Sequence, residues 1–386
     1  MAAITYLLPE DVVVDIMARL PVKSLKRFKC VSLSWRSLIH SPQFVSSHFS
    51  FSKNKTCPLI KYENYINDKV MFIKLSNRTL DVVANFEKPR FGRDLLNINI
   101  QGCFNGIICL RDSRDGVILW NPATKEFKIP PICPVEYPPG YESRVDAIGF
   151  GYDSKRDDYK IVRFDTFWDG DFYYDDPGAS RGKRVALYSL SNDSWRNLDG
   201  TLGISEILGF GCPRYQVYTD GYFHWWAAVA NDGELLLSFD MSNEVFITTP
   251  FPDGHFGKNY ETSGYLHFFT EVNGSVSGLF CHDDFVTDKC YDVWVLGELG
   301  VKNSWTKLLT IGPISVHTPI GVGSNGEFFF LKEVFLSNDV LKGEIIVWHH
   351  PSTKETKTIV VEGLSVEVAM YAESLVSLSR GSALNP

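Results

Sequence analysis

Residues 117–130 read VILWNPATKEFKIP and contain the pattern that decides the fold. An apolar run ends on Trp120, a polar turn follows at Asn121 and Pro122, and a second short run closes on Pro130. Branched and aromatic side chains favour strands, whereas Asn-Pro favours a turn. The segment therefore predicts two neighbouring antiparallel strands.

The same phrase recurs along the chain. Its anchor positions are separated by 48, 68, 51, 56 and 53 residues, and they are Phe72, Trp120, Tyr188, Phe239, Val295 and Trp348. A period near 50 residues is the length of a kelch-like propeller repeat. Because large aromatic residues at repeat positions usually fill cores, we predict that Trp120, Trp195, Trp305 and Trp348 are core residues.

Most copies follow a glycine-bearing hairpin, such as FNGIICL at 104–110, so each unit supplies about four strands. Six such units would form a closed ring, and the last strands, around VAMYAESLVSL at 368–378, would complete the first blade. The first copy is poor and the second interval is long. Six blades and five blades plus an irregular one therefore both remain open.

The charge divides the chain into two parts. The 386 residues hold 38 Lys plus Arg and 46 Asp plus Glu, a net charge of −8. Residues 1–50 carry six basic and three acidic side chains, so this part is +3 and the remainder is −11. An acidic body disfavours a general nucleic-acid-binding role, because phosphates attract cationic faces.

Composition also excludes several locations and site types. The start of the chain is charged and interrupted by proline, which argues against a signal peptide. The sequence contains no uncharged apolar stretch long enough to predict a membrane span. The eight cysteines are scattered without a C-x-x-C pair, which favours reduced core thiols. We expect a soluble cytoplasmic protein, with the nucleus as an additional location.

The N-terminal part has a helical pattern. Residues 8–20 read LPEDVVVDIMARL, where Pro9 and two acids favour a helix start and Pro21 prevents simple continuation. Ser24 is the predicted cap of a second helix, so two or three short helices are expected. About 40 residues rarely build a self-sufficient core. The helices should therefore share an apolar face with another chain, or else cap their own β domain.

LPEDVVVDIMARLPVKSLKRFKCVSLSWRSLI, at 8–39, resembles an F-box, the helical module that docks on a Skp-type adaptor. The resemblance implies that the adaptor-binding face and its supporting core consist of Leu8, Pro9, Ile16, Leu20, Pro21, Leu25, Val31 and Trp35. For Ile16 and Val31, internal packing is an equally weighted alternative. Leu33 and Ser34 depart from the common pattern, which often has a charged residue before Ser-Trp.

The rest of the chain resembles the plant F-box-associated domain, through GCFNGIICL, LWNPATKEFKIPP, GFGYDSKRDDYKIVR, NSWTKLLTI and ESLVSL. The order of these motifs is similar to that of the S-locus F-box group. The expected fold class is α+β and mainly β, with a short helical F-box before a propeller-like domain of about six kelch-like repeats. The expected boundaries are 1–50 for the F-box, 51–380 for the propeller-like domain and 381–386 for a tail.

A search for catalytic or metal-binding patterns finds none that is specific. GSVSG at 274–278 lacks the nucleophile serine, and GFGYD at 149–153 lacks the third glycine of a dinucleotide fingerprint. His349 and His350 point to opposite faces of a strand, and Lys155 and Arg156 interrupt the acids of 153–158, which favours a solvated hairpin. We expect no catalytic residue, no metal and no cofactor.

Residues 165–180, DTFWDGDFYYDDPGAS, combine five Asp with five aromatics inside the longest repeat interval. Aromatics supply contact area and acids can steer a basic partner. The equally weighted alternative is an insertion whose charges only keep it solvated. The candidate substrate-binding residues are Trp168, Asp169, Asp171, Tyr173, Asp175 and Asp176, with 251–264 as a weaker second segment.

The resemblance implies a non-catalytic substrate-recognition subunit of an SCF-type ubiquitin ligase. Its partners would be a Skp-type adaptor, a cullin and a target protein. The S-locus resemblance implies that this target is a basic secreted-type ribonuclease in pollen self-incompatibility. The alternatives are a small-molecule- or glycan-binding propeller or enzyme on an F-box, or an F-box protein that acts in defence or hormone signalling.

Overall fold

The computed structural model of the chain describes residues 9–64, 69–87, 98–134, 136–170, 181–198, 207–211, 216–229, 233–252, 268–281, 288–335, 341–361 and 363–379. Four short helices come first and form a helical module, and the strands that follow form a six-bladed β-propeller. The helices are α1 (Glu10–Ala18), α2 (Val22–Phe28), α3 (Leu33–His40) and α4 (Pro42–Ser52).

Prolines and serines set the helix boundaries. Pro9 and Pro21 occupy the cap positions of α1 and α2, so Ser24 lies inside α2 and the prediction that it caps this helix is wrong. The backbone N–H of Trp35 donates to Ser32 Oγ at 3.2 Å and caps α3, and Ser41 caps α4 in the same way. Four helices therefore form where the pattern predicted two or three.

The described strands make six antiparallel sheets, one per blade, and the fourth has a divided inner strand. Blade 1 holds β25 (Leu364–Tyr371), β1 (Cys57–Asn64), β2 (Lys69–Leu75) and β3 (Val82–Phe86). Blade 2 holds β4 (Asn99–Phe104), β5 (Ile107–Arg111), β6 (Val117–Asn121) and β7 (Glu126–Lys128). Blade 3 holds β8 (Tyr141–Asp153), β9 (Asp158–Asp169), β10 (Arg181–Ser189) and β11 (Ser194–Asn197).

Blade 4 holds β12 (Ile207–Phe210), β13 (Gln216–Thr219), β14 (Tyr222–Val229), β15 (Gly233–Asp240) and β16 (Phe246–Pro250). Blade 5 holds β17 (Phe268–Val272), β18 (Ser275–Cys281), β19 (Lys289–Leu296) and β20 (Trp305–Ile314). Blade 6 holds β21 (Thr318–Val322), β22 (Phe328–Phe335), β23 (Leu341–His349) and β24 (Thr356–Val360). The expectation of about six repeats is confirmed.

The ring closes through pairing of the two ends of the propeller. β25 lies antiparallel to β1, with Cys57 opposite Tyr371 and Ile60 opposite Val368. The first blade therefore contains one strand from the end of the chain, and the sequence around β1 to β3 supplies only three of its four strands. The long second interval arises because β8 and β9 are 13 and 12 residues long.

The polar turn of the repeat has a shared geometry. Lys125, Glu244 and Lys354 occupy equivalent turns with φ near +60°. In blade 2 the Asn121 side-chain oxygen accepts the backbone N–H of Ala123 at 3.1 Å. Such side-chain bonds replace the backbone partners that the turn lacks, which is why Asn and Asp recur there.

Aromatic side chains fill the spaces between blades, as predicted from the repeat. Trp120, Trp305 and Trp348 are at most 8% exposed. Trp195 is half-buried against Tyr188, with ring centroids 5.3 Å apart. The glycines of GFGYD serve the same packing, because a Cβ at Gly149 would lie 2.3 Å from the Trp225 ring.

The two rims of the ring differ. Because the chain reverses at every antiparallel turn, the connections after the first and third strands of each blade lie on one rim, and those after the second and fourth lie on the other. We call the rim with the connections after the first and third strands the proximal face, and the other rim the distal face. The helical module contacts the proximal face, where Glu373 follows β25 and Thr124 follows β6.

Val366 tests whether β25 seals the ring. It is fully buried in a cluster that joins Ile60 of blade 1 to Ile320 and Ile346 of blade 6. We expect Val366→Ala to lower the free energy of unfolding by about 2 kcal/mol, because it removes buried methyl groups and leaves a cavity. Val360→Ala, at a residue 73% exposed on β24, is the control and should change it by less than about 0.5 kcal/mol. Equal effects in urea unfolding would contradict the sealing role.

Candidate functional site

The predicted adaptor-binding residues fall into exposed and buried groups. Pro9, Ile16, Pro21 and Val31 are exposed, Leu20 and Trp35 are half-buried, and Leu25 is completely buried. Leu8 lies outside the described residues. Leu25 can therefore support a docking face from below but cannot touch a partner, because it already packs inside the helical module.

Two exposed apolar residues were missed by the sequence reasoning. Val12 is 38% exposed and lies one helical turn before Ile16, which is 47% exposed. Leu33, noted only as a departure from the common pattern, is 80% exposed and lies beside Val31 across the cap of α3. We call Val12, Ile16, Val31 and Leu33 the apolar set. The (i, i+4) spacing of Val12 and Ile16 was the available signal.

Other residues of the helical module pack on the propeller. Met17, Val22, Leu25 and Phe44 form a buried cluster with Leu375, which follows β25. Ala123, from the polar turn of blade 2, packs against the same cluster. The module thus caps its own β domain and still presents exposed apolar side chains, so the two alternatives of the sequence reasoning are not exclusive.

Polar contacts also hold the helical module on the propeller, and we call this contact region, around Glu373, the seat of the module. Glu373 accepts the backbone N–H of Val22 at 3.3 Å and the ammonium of Lys74 at 3.1 Å. The Lys26 ammonium donates to the carbonyl of Thr124. One carboxylate therefore links α2, β2 and the end of β25.

His48 connects α4 to the turn after α1. Its Nε2 lies 3.0 Å from the Leu20 carbonyl oxygen, and the side chain is buried. Burial lowers the pKa of His48, so the neutral ring is the form that the packed module favours.

The candidate substrate-binding residues lie at the distal end of blade 3. Trp168 and Asp169 are the last residues of β9, where Trp168 is only 7% exposed. Residues 165–169 are therefore strand rather than loop, and Asp165 is buried in an ion pair with Arg163 at 2.7 Å. Asp171, Tyr173, Asp175 and Asp176 lie outside the described residues, as do 253–264 of the second segment.

Basic side chains accompany the acids at this end of blade 3. Arg144 pairs with Asp146 at 2.9 Å, and the Lys183 ammonium lies 3.4 Å from the same carboxylate. Burial lowers the pKa of Lys183, and Asp146 opposes that shift. The described strand ends are thus close to charge balance, and a net acidic attraction would have to come from the acids beyond Asp169.

The acids of 153–158 have a structural role. Asp153 is fully buried and accepts from Lys160 at 2.6 Å, Arg156 at 2.8 Å and Ser242 of blade 4 at 2.8 Å. Burial opposes its ionisation, but these donors hold the pKa of Asp153 far below its usual range. The expectation of a solvated hairpin is therefore wrong for Asp153, which links two blades.

No candidate metal centre is found where the structure describes the chain. No group of three His, Cys, Asp or Glu there could hold an ion. His349 is buried and its Nδ1 lies 3.0 Å from Thr356 Oγ1, while His350 accepts from the Thr353 N–H at 3.4 Å. The described helices include none that is long and apolar enough to cross a membrane.

Comparison with known proteins matches both parts of the chain. A family model described as the F-box domain matches residues 6–47, and one described as the F-box associated beta propeller domain matches residues 57–378. The chain is 27% identical to F-box protein CPR1 of Arabidopsis thaliana over 401 residues, covering 98% of this chain and 91% of that protein. It is 28% identical to an F-box/kelch-repeat protein of Arabidopsis thaliana over 317 residues, covering 79% of each. Among solved structures it is similar to TolB from Acinetobacter baumannii, at 10% identity and a TM-score of 0.43, with 86% of this chain and 73% of that chain covered.

Glu373 tests the seat between the helical module and the propeller. Glu373→Ala leaves the Val22 N–H and Lys74 without their carboxylate, so we expect a loss of about 1 to 3 kcal/mol in stability and faster amide exchange in α2. Glu355→Ala is the control, because Glu355 only pairs with Lys357 on the surface and should cost less than about 1 kcal/mol. Unchanged exchange in α2 would show that Glu373 does not hold the module.

Proposed function

We propose that this chain, which belongs to the F-box proteins that carry an F-box associated beta propeller domain, is the substrate-recognition subunit of an SCF-type ubiquitin ligase. The observation that carries the proposal is the apolar set. A helical module that is already packed on the propeller leaves Ile16, Val31 and Leu33 in solvent. Exposed apolar side chains grouped on one small module are typical of a protein interface.

The adaptor is the proposed occupant of this surface. A Skp-type adaptor would cover Ile16 and Val31, with Pro9 and Pro21 at the starts of α1 and α2 shaping the rim. The buried residue Leu25 would hold α2 in place beneath the contact. In this arrangement the adaptor connects the chain to a cullin without touching the blades.

The target would bind at the distal face. That face lies at the other end of the blades, and β9 alone spans roughly 36 Å at the rise of an extended strand. Target and adaptor can therefore bind at the same time. The seat at Glu373 keeps their separation fixed, which raises the effective concentration of the target near the ubiquitin-loaded E2.

No chemical step is assigned to this chain in the proposal. Ubiquitin transfer belongs to the separate E2 enzyme, and the contribution of the chain is to hold two partners in one assembly. Its described polar clusters support this role, because Asp153 and Glu373 are both engaged in contacts within the fold.

The proposed target is a basic secreted-type ribonuclease, recognised in pollen self-incompatibility. The support is electrostatic, since residues 51–386 carry −11 and four acids follow Trp168 within eight residues. Acidic rims accelerate association with basic proteins at low salt.

Two exposed residues of the apolar set test the adaptor contact. We expect Ile16→Ala combined with Val31→Ala to lose about 1 to 3 kcal/mol of adaptor affinity per residue, because interface anchors become truncated. Val82→Ala combined with Val83→Ala is the control, since both residues are similarly exposed but lie on β3. Adaptor binding is measured with purified proteins by calorimetry. The proposal fails if the Ile16 and Val31 double variant binds as tightly as the unmodified chain.

Charge variants test the ribonuclease. Asp175→Asn with Asp176→Asn should slow association with a basic secreted-type ribonuclease at low salt and flatten its salt dependence. Glu298→Gln with Glu355→Gln removes the same charge from the proximal face and should have a smaller effect. Equal effects of the two pairs, or no ribonuclease binding at low salt, would contradict the assignment.

A further inference from the structure

The centre of the ring contains a cavity of about 570 Å³, a volume typical of small-molecule sites. The inner strands β4, β13, β17, β21 and β25 line it, so five of the six blades contribute. It extends to the proximal face, where Gly274 and Ser324 lie in turns. Thr56, the last residue before β1, lies at the same end.

The walls combine apolar surface with a few polar groups. Val217, Tyr218 and Val368 are lining residues that are partly exposed and contribute apolar surface. An apolar wall with a few directed polar groups binds and orients an organic ligand.

Gln101 is the first of these polar groups. It lines the cavity and is only 2% exposed. Its Oε1 accepts from the Gln216 amide at 3.3 Å, but its Nε2 has no hydrogen-bond partner. A buried donor without a partner costs free energy that a ligand acceptor would recover.

Glu271 is the second polar group. It lines the cavity near the proximal end, on β17, the residue is exposed overall, and no described cation pairs with it. Partial desolvation by the surrounding protein and then the nearby Asp220 raise the pKa of Glu271. The two acids repel one another, and a cation at Glu271 would offset this repulsion.

The lining selects against other ligand classes. It includes neither lysine, arginine nor histidine among the described residues, so an anion would meet carboxylates but no cationic side chain. Lys61 lies behind the wall, completely buried and paired with Glu63 and Glu367. A metal ion is disfavoured too, because the described part of the chain offers no three-ligand cluster.

We propose that the central cavity binds a small organic amine that also carries a hydrogen-bond acceptor. The ammonium group lies at Glu271, and the acceptor receives the unused N–H of Gln101. The apolar body lies against Val217 and Val368. This site is separate from the apolar set and the distal face, so it does not depend on the proposed ligase role.

Three probes of similar size test the site on the full chain by calorimetry or ligand-observed NMR. Tyramine has the amine and the acceptor, phenethylamine lacks the acceptor, and hydroxyphenylacetate replaces the amine with an anion. We expect tyramine to bind with a dissociation constant of about 1 to 10 mM, the range for a fragment of this size. Phenethylamine should bind about fivefold more weakly, and hydroxyphenylacetate should not bind.

Two variants assign the contacts. Gln101→Met should abolish the difference between tyramine and phenethylamine, and Glu271→Gln should weaken both amines about tenfold. Glu355→Gln, an exposed acid of the proximal face outside the cavity, is the control and should bind like the unmodified chain. Thermal melting checks that each variant folds, and the three-probe comparison on the unmodified chain decides even if Gln101→Met does not fold. The proposal is wrong if tyramine does not bind at about 10 mM, if the anion binds equally well, or if Glu271→Gln changes nothing.

Discussion

The antiparallel pairing of β25 with β1 is the contact on which the rest of the molecule depends. It closes the ring, and it brings the chain that follows Tyr371 beneath the helical module. There Glu373 accepts from the backbone of α2, and Leu375 enters the helical core. The carbonyls of Ser374 and Val376 accept from the Asn121 side chain at 3.1 and 2.8 Å, so the same segment is attached to blade 2. The segment from β25 to Val376 therefore both closes the ring and positions the helices.

Most of the β architecture could be predicted from the sequence because its signal is local. The phrase around Trp120 contains a strand, a turn and a strand within a few residues, and its spacing predicts about six repeats. Only the structure decides between six blades and five blades plus an irregular one. Helix starts were harder to predict. Ser24 has the chemistry of a cap, but Pro21 already fixes the backbone before α2, and only the three-dimensional fold shows which of the two acts.

Functional residues were predicted less completely, because apolar patterns do not reveal which partner covers each side chain. Ile16 and Leu25 look equivalent in the sequence, yet Ile16 is 47% exposed and Leu25 is buried. Leu25 packs in a cluster that includes Leu375, a residue 350 positions away in the sequence, whereas Ile16 is not part of this cluster. The central cavity could not be predicted at all, since Gln101 and Glu271 come together only when five blades meet.

The molecule has a helical end that packs on the propeller and leaves apolar side chains exposed. At its distal end the long strands of blade 3 finish. The most direct test of the proposed division of labour is hydrogen–deuterium exchange of the full chain with and without a purified Skp-type adaptor. The account predicts slower exchange in α1 and in the turn between α2 and α3, with β9 and β10 unchanged. Protection at the distal ends of β9 and β10, or none in the helices, would contradict it.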